Sequence, residues 1–503
     1  MIKHGLLVES LIELIRRTST ALPADVSAVL AASRAQEKAG GLADLAMAYV
    51  AENARLAKEN TLPLCQDTGL PTFFVTHPVG FDTLAFEEAA RAAVAEATRL
   101  GILRQNSVDS LTGHNTGTGL GTGTPAFHFE AHRGPTFSVT LVLKGGGCEN
   151  MGAQYALPID IAGRRAGRDL AGVRAVVLDA VTCAGGRGCS PGFLGVCIGG
   201  DRAGGMEAAK RQFLRPLDDE NPVPKLAQLE VQIVDDANRL GIGPMGFGGS
   251  FTLGGCKITA QNRVPACFFV SVAYMCWAFR RKGVRLDTDG RAVEWLHDGS
   301  GLIDESRGLE KALKSAPVKK LSLPLNESAV RALKVGDLVL LSGPLFTARD
   351  AVHRYLFEGG ALEAIRNSVL FHCGPVVVEE KGGYRVLAAG PTTSLREEPY
   401  QAAIIERFGL RGVIGKGGMG EQTRRALQKH GAVYFHAIGG AAQVYAQCVE
   451  KVNSVHLLHY GSPEAVWELW VRDFPAIVTM DASGASLHKE VAEKSEAALK
   501  GLI

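Results

Sequence analysis

Glycine in this chain is gathered in a few places, and that gathering constrains the fold more than any other feature of the sequence. Of 60 glycines, tight groups fall at Gly117 to Gly123, Gly145 to Gly147, Gly241 to Gly249 and Gly415 to Gly420, between apolar segments. Glycine so placed means backbone that turns sharply or approaches something closely. These groups read as loops between packed elements and not as linkers. With 503 residues, 46% of them hydrophobic, the chain can bury several cores. At about 150 residues each, two to four domains are expected.

The charge balance narrows the function classes. Fifty-four basic residues against 52 acidic ones leave a net charge of +2, with no long block of one sign. That excludes an obligate nucleic-acid binder. The longest apolar run, Val264 to Phe279, falls short of the roughly 20 residues that span a bilayer, so no membrane partner is expected. Glu9 and Glu13 interrupt the apolar N-terminal stretch, which argues against a secretory signal and for a cytoplasmic protein. Ten cysteines without a CxxC pair are expected as reduced thiols, with no zinc ribbon or thioredoxin-type site.

Residues 5–100 repeat leucines at helical spacing (Leu6, Leu7, Leu11, Leu14; then Leu42 and Leu45) and predict a helical opening. Beyond Cys65 the pattern is mixed: Thr136–Leu143 and Ala175–Leu178 read as strands, Glu207–Phe213 and Val223–Leu240 as helices. Residues 1–281 are therefore expected to form an α+β domain. Residues 282–323, with Lys311, Lys314, Lys319 and Lys320, read as a partly helical connector whose lysines are solvated. In residues 324–503, strands such as Leu338–Leu341, Val386–Ala389 and Gly412–Ile414 alternate with helices such as Glu421–Lys429 and Ala441–Val452. That alternation predicts a second, α/β domain.

Several loops carry chemistry-bearing residues. Cys65-Gln66-Asp67-Thr68-Gly69 puts a thiol, an amide, a carboxylate and a hydroxyl on one turn, compatible equally with a structural turn and with a site. Arg104 precedes Asn115-Thr116-Gly117, and Lys144-Gly145-Gly146-Gly147-Cys148 and Cys189-Ser190-Pro191 follow. Gly241 to Gly246 matches GxGxxG, but no strand precedes it, so close backbone packing is expected there instead of a nucleotide. Arg349, Arg396 and Lys416 sit on strand-to-loop junctions, where α/β domains put ligands. Guanidinium pairs carboxylates bidentately, so these cations point to a dicarboxylate, with surface ion pairing as the alternative.

In this order, the CQDTG segment at Cys65, Arg104 with Asn115 to Gly117, the KGGG loop at Lys144, Cys189 to Gly200, Ala348-Arg349-Asp350, Gly390 to Arg396 and Gly415 to Met419 resemble the class I, iron–sulfur-dependent fumarase family, which includes L-tartrate dehydratases and mesaconate-hydrating relatives. The resemblance covers nearly the whole chain, with the family's α-type and β-type parts fused. It implies a [4Fe–4S] cluster on Cys65, Cys189 and Cys276. It implies Thr392 as the base and Asp67 as the acid, with Gln66, Arg104, Gly147, Arg349, Arg396 and Lys416 binding substrate. The remaining cysteines are read as buried core thiols. The implied activity is reversible hydration of an unsaturated dicarboxylate, fumarate to L-malate in type, in a homodimer with a cluster-binding N-terminal domain and a swivelling β/β/α C-terminal domain. Mesaconate hydration, tartrate dehydration and a non-catalytic iron–sulfur dicarboxylate-binding protein are the alternatives. One position departs from the family: Val264 stands where many members have a histidine, which admits a branched or hydroxylated analogue.

Overall fold

The computed structural model describes residues 3–297, 308–309, 313 and 317–503. Helices His4–Thr20, Ala24–Gln36, Leu42–Asn60 and Thr83–Arg99 open the chain. Strand Leu70–Pro78 interrupts this helical opening, because Leu-Pro-Thr-Phe-Phe-Val-Thr is β-prone and carries proline near its start. It lies in a five-stranded sheet in the order Ala292–Leu296, Arg280–Leu286, Phe137–Lys144, Leu70–Pro78, Ala126–His132. Helices His4–Thr20 and Thr83–Arg99 pack on that sheet, burying Leu7, Leu11, Phe86 and Val94 against Phe73, Val139 and Leu141. Ala292–Leu296 and most of Arg280–Leu286 occupy residues 282–323, expected to belong to the connector, whose Lys311 and Lys314 lie outside the described residues.

A second sheet orders Ala153–Ala156, Phe269–Met275, Gly192–Ile198 and Leu253–Ala260. Helices Leu170–Ala184, Arg202–Arg211 and Pro224–Arg239 accompany it. Ala175–Leu178, expected as a strand, lies inside the helix Leu170–Ala184. Asp169 caps that helix by accepting from the Gly172 N–H at 2.7 Å. Most of its apolar residues are buried, so it lacks the polar alternation that distinguishes a helix from a strand in a short apolar run.

The C-terminal half is built on a seven-stranded sheet: Val318–Ser322, Leu338–Thr347, Val369–Phe371, Gly412–Gly415, Val433–His436, Val466–Met480, Val449–His456. Leu338–Thr347 also pairs antiparallel with Val466–Met480, so five of these strands close into a ring. The expected helix Ala441–Val452 is two elements, a short helix Ala442–Gln447 and the strand Val449–His456. Val449, Val452 and Val455 recur every third residue because the register shifts twice, between Val449 and Lys451 and again between Val452 and Ser454. Each bulge adds a residue, and a strand then mimics helical spacing.

Candidate active site

Strand pairing brings the N-terminal loops to one place. Leu70 pairs with Lys144 and Arg280 with Leu143, so the turn before Leu70, the loop after Lys144 and the segment before Arg280 share one sheet end. Gly69 has φ of +81°, and a Cβ there would meet the Lys144 backbone at 2.6 Å. Only glycine fits, and Asp67 is thereby held beside the glycine loop. In the second sheet Phe193 pairs with Met275, which sets Cys189 and Cys276 at a common end, and the Trp277 N–H donates to the Cys189 carbonyl at 3.3 Å. The GxGxxG run is the support beneath Cys189: Ser190 Oγ donates to the Gly243 carbonyl at 2.6 Å, and the Met245 N–H donates to the Ser190 carbonyl at 3.0 Å.

The C-terminal loops leave the carboxyl ends of parallel strands. Arg349 follows Leu338–Thr347, and Lys416 follows Gly412–Gly415. The Thr392 N–H donates to the His372 carbonyl at 2.7 Å, just past Val369–Phe371. This is the crevice where α/β sheets bind ligands. The two halves meet across it. Gln66 Nε2 donates to the Pro391 carbonyl at 3.1 Å, Arg104 Nη1 to the Gly374 carbonyl at 2.8 Å, and Trp277 Nε1 to the Gly439 carbonyl at 2.7 Å.

Between them lies a cavity of about 510 Å³. It is lined by Cys65, Cys189 and Cys276, by Gln66, Asp67 and Gly147, and by Arg104, Arg349, Thr392, Arg396 and Lys416. Every residue expected at the site is therefore on one surface. Val264 is not; it is 63% exposed in the turn before Phe269–Met275, so within a single chain it does not shape this cavity.

Cations dominate the lining. Arg104 Nη2 stands 3.2 Å from Asp67 Oδ1, Arg349 Nη1 3.2 Å from Glu464 Oε1, and Lys416 Nζ 2.8 Å from Cys189 Sγ. Burial alone would raise the Asp67 pKa, but Arg104, Arg280, Arg349 and Lys416 outweigh it and hold the carboxyl far below the usual range. Burial pushes the Cys65 thiol up to about 11 and raises Cys189, with Arg280 and Lys416 respectively pulling the other way. Burial would lower the Lys416 pKa, yet the nearby thiols raise it above the usual lysine value.

Two family descriptions together match most of the chain: Fumarate hydratase (Fumerase) over residues 8–285 and Fumarase C-terminus over residues 298–491. The chain belongs to the class I fumarate hydratase family. A Geobacillus stearothermophilus protein assigned as a class I fumarate hydratase is 50% identical over 498 residues, 97% of each chain. L(+)-tartrate dehydratase subunit beta of Escherichia coli K12 is 35% identical over 175 residues, 34% of this chain and 87% of that one. A Methanocaldococcus jannaschii protein assigned as the same subunit is 36% identical over 188 residues, 36% of this chain and 95% of that one. A class I fumarate hydratase family member is a hydro-lyase, and this chain is one.

This hydro-lyase of the class I fumarate hydratase family also puts residues on the cavity that sequence reasoning missed. Arg280 is 2% exposed; its Nη2 donates to the Asp67 carbonyl at 2.8 Å, while Nε and Nη1 have no acceptor among the described residues. Its position four residues after Cys276 was the available signal. Cys148 is not a plain core thiol: it lines the cavity, and the neighbouring Cys276 thiol, with Lys144 and Lys416, pulls it below the usual thiol value against burial. Cys183 is exposed and Cys267 and Cys448 are half-buried, so these are not core thiols either.

Proposed function

We propose that this hydro-lyase interconverts an unsaturated dicarboxylate and its 2-hydroxy acid, fumarate and L-malate in type, with a [4Fe–4S] cluster held by Cys65, Cys189 and Cys276. The observation that carries the reading is the juxtaposition of three buried thiols with a cluster of cations in one cavity. Thiolates are the ligands that iron–sulfur clusters take, and three buried thiols lining one cavity are a donor set of that chemistry. Such a cluster supplies a Lewis acid at the iron that lacks a protein thiolate.

The chain's own groups do the rest. Arg104 and Arg349 bind one substrate carboxylate; Arg396 and Lys416 bind the other, with Gln66 and the Gly147 backbone completing the site. In the dehydration direction Thr392 Oγ1 takes the proton from carbon and Asp67 gives one to the departing hydroxyl. Hydration runs both transfers backwards. A threonine is a weak base unaided, and Arg396 Nη2, donating to Thr392 Oγ1 at 2.7 Å, favours its oxyanion. Asp67 is ionised while the surrounding cations serve it alone. A bound dianion engages those cations, and the Asp67 pKa rises toward the range in which it donates.

The test is hydration of fumarate and mesaconate, followed as loss of the conjugated double bond's ultraviolet absorbance, and dehydration of L-tartrate, followed as release of the 2-keto acid, side by side, by anaerobically reconstituted protein. Fumarate turnover is expected. The two tartrate dehydratase relatives make L-tartrate the second reading, and turnover of tartrate alone moves the assignment there. An intact cluster with no turnover of any of the three overturns the catalytic reading.

A further inference from the structure

Two carboxyl groups behind Thr392 have no place in the mechanism above. Asp350 opens the helix Asp350–Phe357, and its Oδ2 lies 3.1 Å from Arg396 Nη1. The same guanidinium reaches Thr392 Oγ1 through Nη2, while its Nε is buried without an acceptor. Asp350 and Thr392 therefore hold the two ends of one planar fork. Glu397 is next in the chain. Its side chain is fully buried, neither carboxyl oxygen has a partner of hydrogen-bonding geometry among the described residues, and His353 Nδ1 stands 3.8 Å away.

The groups around this pair are few. The helix Asp350–Phe357 and the residue before it contribute Arg349, Asp350 and His353; the turn Ser394–Glu397 contributes Arg396; and Glu464 lies against Arg349. His353 Nε2 and His372 Nε2 both contact Gln401 Oε1, at 3.0 and 2.8 Å, and burial lowers both imidazoles into the neutral form. Burial, then the Asp350 charge, pushes the Glu397 carboxyl up to about 9, against the pull of Arg396 and Arg349.

We propose that Asp350 is a positioning residue for the base Thr392, acting through Arg396, and that Glu397, buried beside it without a hydrogen-bond partner among the described residues, is a neutral acid that leaves the Arg396 fork to Asp350 and Thr392. Once Glu397 ionises, a second carboxylate competes for the Arg396 fork and draws it from Thr392, so turnover falls on the alkaline side. The inference rests on the reading of Thr392 as the base.

The experiment is fumarate hydration by the reconstituted full-length protein from about pH 6 to about pH 10, with Asp350→Asn, Asp350→Glu and Glu397→Gln. Asp350→Asn is expected to lower kcat about 100-fold, as a small misplacement of a catalytic group does, with KM and iron–sulfide absorbance near the wild-type values. Asp350→Glu should restore part of kcat. Glu397→Gln should abolish the alkaline fall that the wild type shows near pH 9. If Asp350→Asn disturbs the fold or the cluster, the Glu397→Gln profile decides. Wild-type kcat in Asp350→Asn, or an unchanged alkaline limb in Glu397→Gln, overturns the inference while leaving the hydro-lyase reading intact. A wild-type protein that turns over none of the three substrates removes both.

Discussion

Lys416 Nζ lies 2.8 Å from Cys189 Sγ, so a loop of the C-terminal half places its ammonium on a thiol of the N-terminal half. Each group favours the charged form of the other: the thiols raise the Lys416 pKa, and Lys416 pulls Cys189 down against burial. Lys416 is also assigned to a substrate carboxylate, and a hydrogen bond to a charged group contributes about 1.5–3 kcal/mol. Lys416→Met is therefore expected to lose about 10- to 100-fold in kcat/KM, since each 1.4 kcal/mol is about tenfold. It should also take up less iron at a given iron concentration. Steady-state kinetics and iron assays check both, and wild-type values in each would remove the pair from the machinery.

The cysteines divide sharply. Cys65, Cys189 and Cys276 line the cavity, whereas Cys448 is half-buried, with its Sγ 3.3 Å from the Val444 carbonyl, and is not part of the lining. Serine at any of the three should abolish iron and acid-labile sulfide after anaerobic reconstitution, while Cys448→Ser should retain both. Full occupancy in Cys276→Ser would contradict the ligand assignment. Cys148→Ser should keep the cluster, because the ligands are assigned to Cys65, Cys189 and Cys276 alone.

The loops of this site were legible because each ends in glycine beside a charged or thiol residue, as at Asp67 to Gly69 and Lys416 to Gly417. Their convergence was not, since it depends on register: Leu70 opposite Lys144 and Arg280 opposite Leu143 are facts of strand pairing, which local pattern does not carry. Arg280 went unnoticed for that reason. Two of the misread elements fail in different ways. Ala175–Leu178 is apolar all round, and Val449–His456 owes its three-residue spacing to two bulges. Both hide the period that separates helix from strand.

Glu397 makes stability pH-dependent. In the unfolded chain its carboxyl ionises near its ordinary value of about 4.3, whereas in the fold it keeps its proton up to about 9. Between those values the native state binds the extra proton, so stability falls as pH rises through this window and is fully present only below it. Glu397→Gln carries no such proton. Its melting temperature should match the wild type near pH 4.5 and exceed it by a few degrees near pH 9. A difference that stays constant across that range, read by calorimetry, would mean that Glu397 is ionised in the fold.

Gly439 tests how little room the Cys189–Lys416 contact has. A Cβ at this position would fall inside van der Waals contact with Cys189 Sγ and 2.9 Å from Lys416 Cδ. The backbone cannot retreat, because the Gly439 carbonyl accepts from the buried Trp277 indole at 2.7 Å and a Cβ on Gly440 would already meet that ring at 2.9 Å. Gly439 has no positive φ, so alanine is conformationally admissible and the effect is steric and local. Overpacking of this kind costs about 1–3 kcal/mol. Gly439→Ala is expected to lower kcat/KM about 10- to 100-fold by parting the ammonium from the thiol, while the melting temperature moves by only a few degrees. Gly501→Ala, whose added methyl meets nothing within 4 Å, serves as the control and should match the wild type in both. Equal kcat/KM in Gly439→Ala and the control would show that the contact has slack and that Lys416 acts from elsewhere in the cavity.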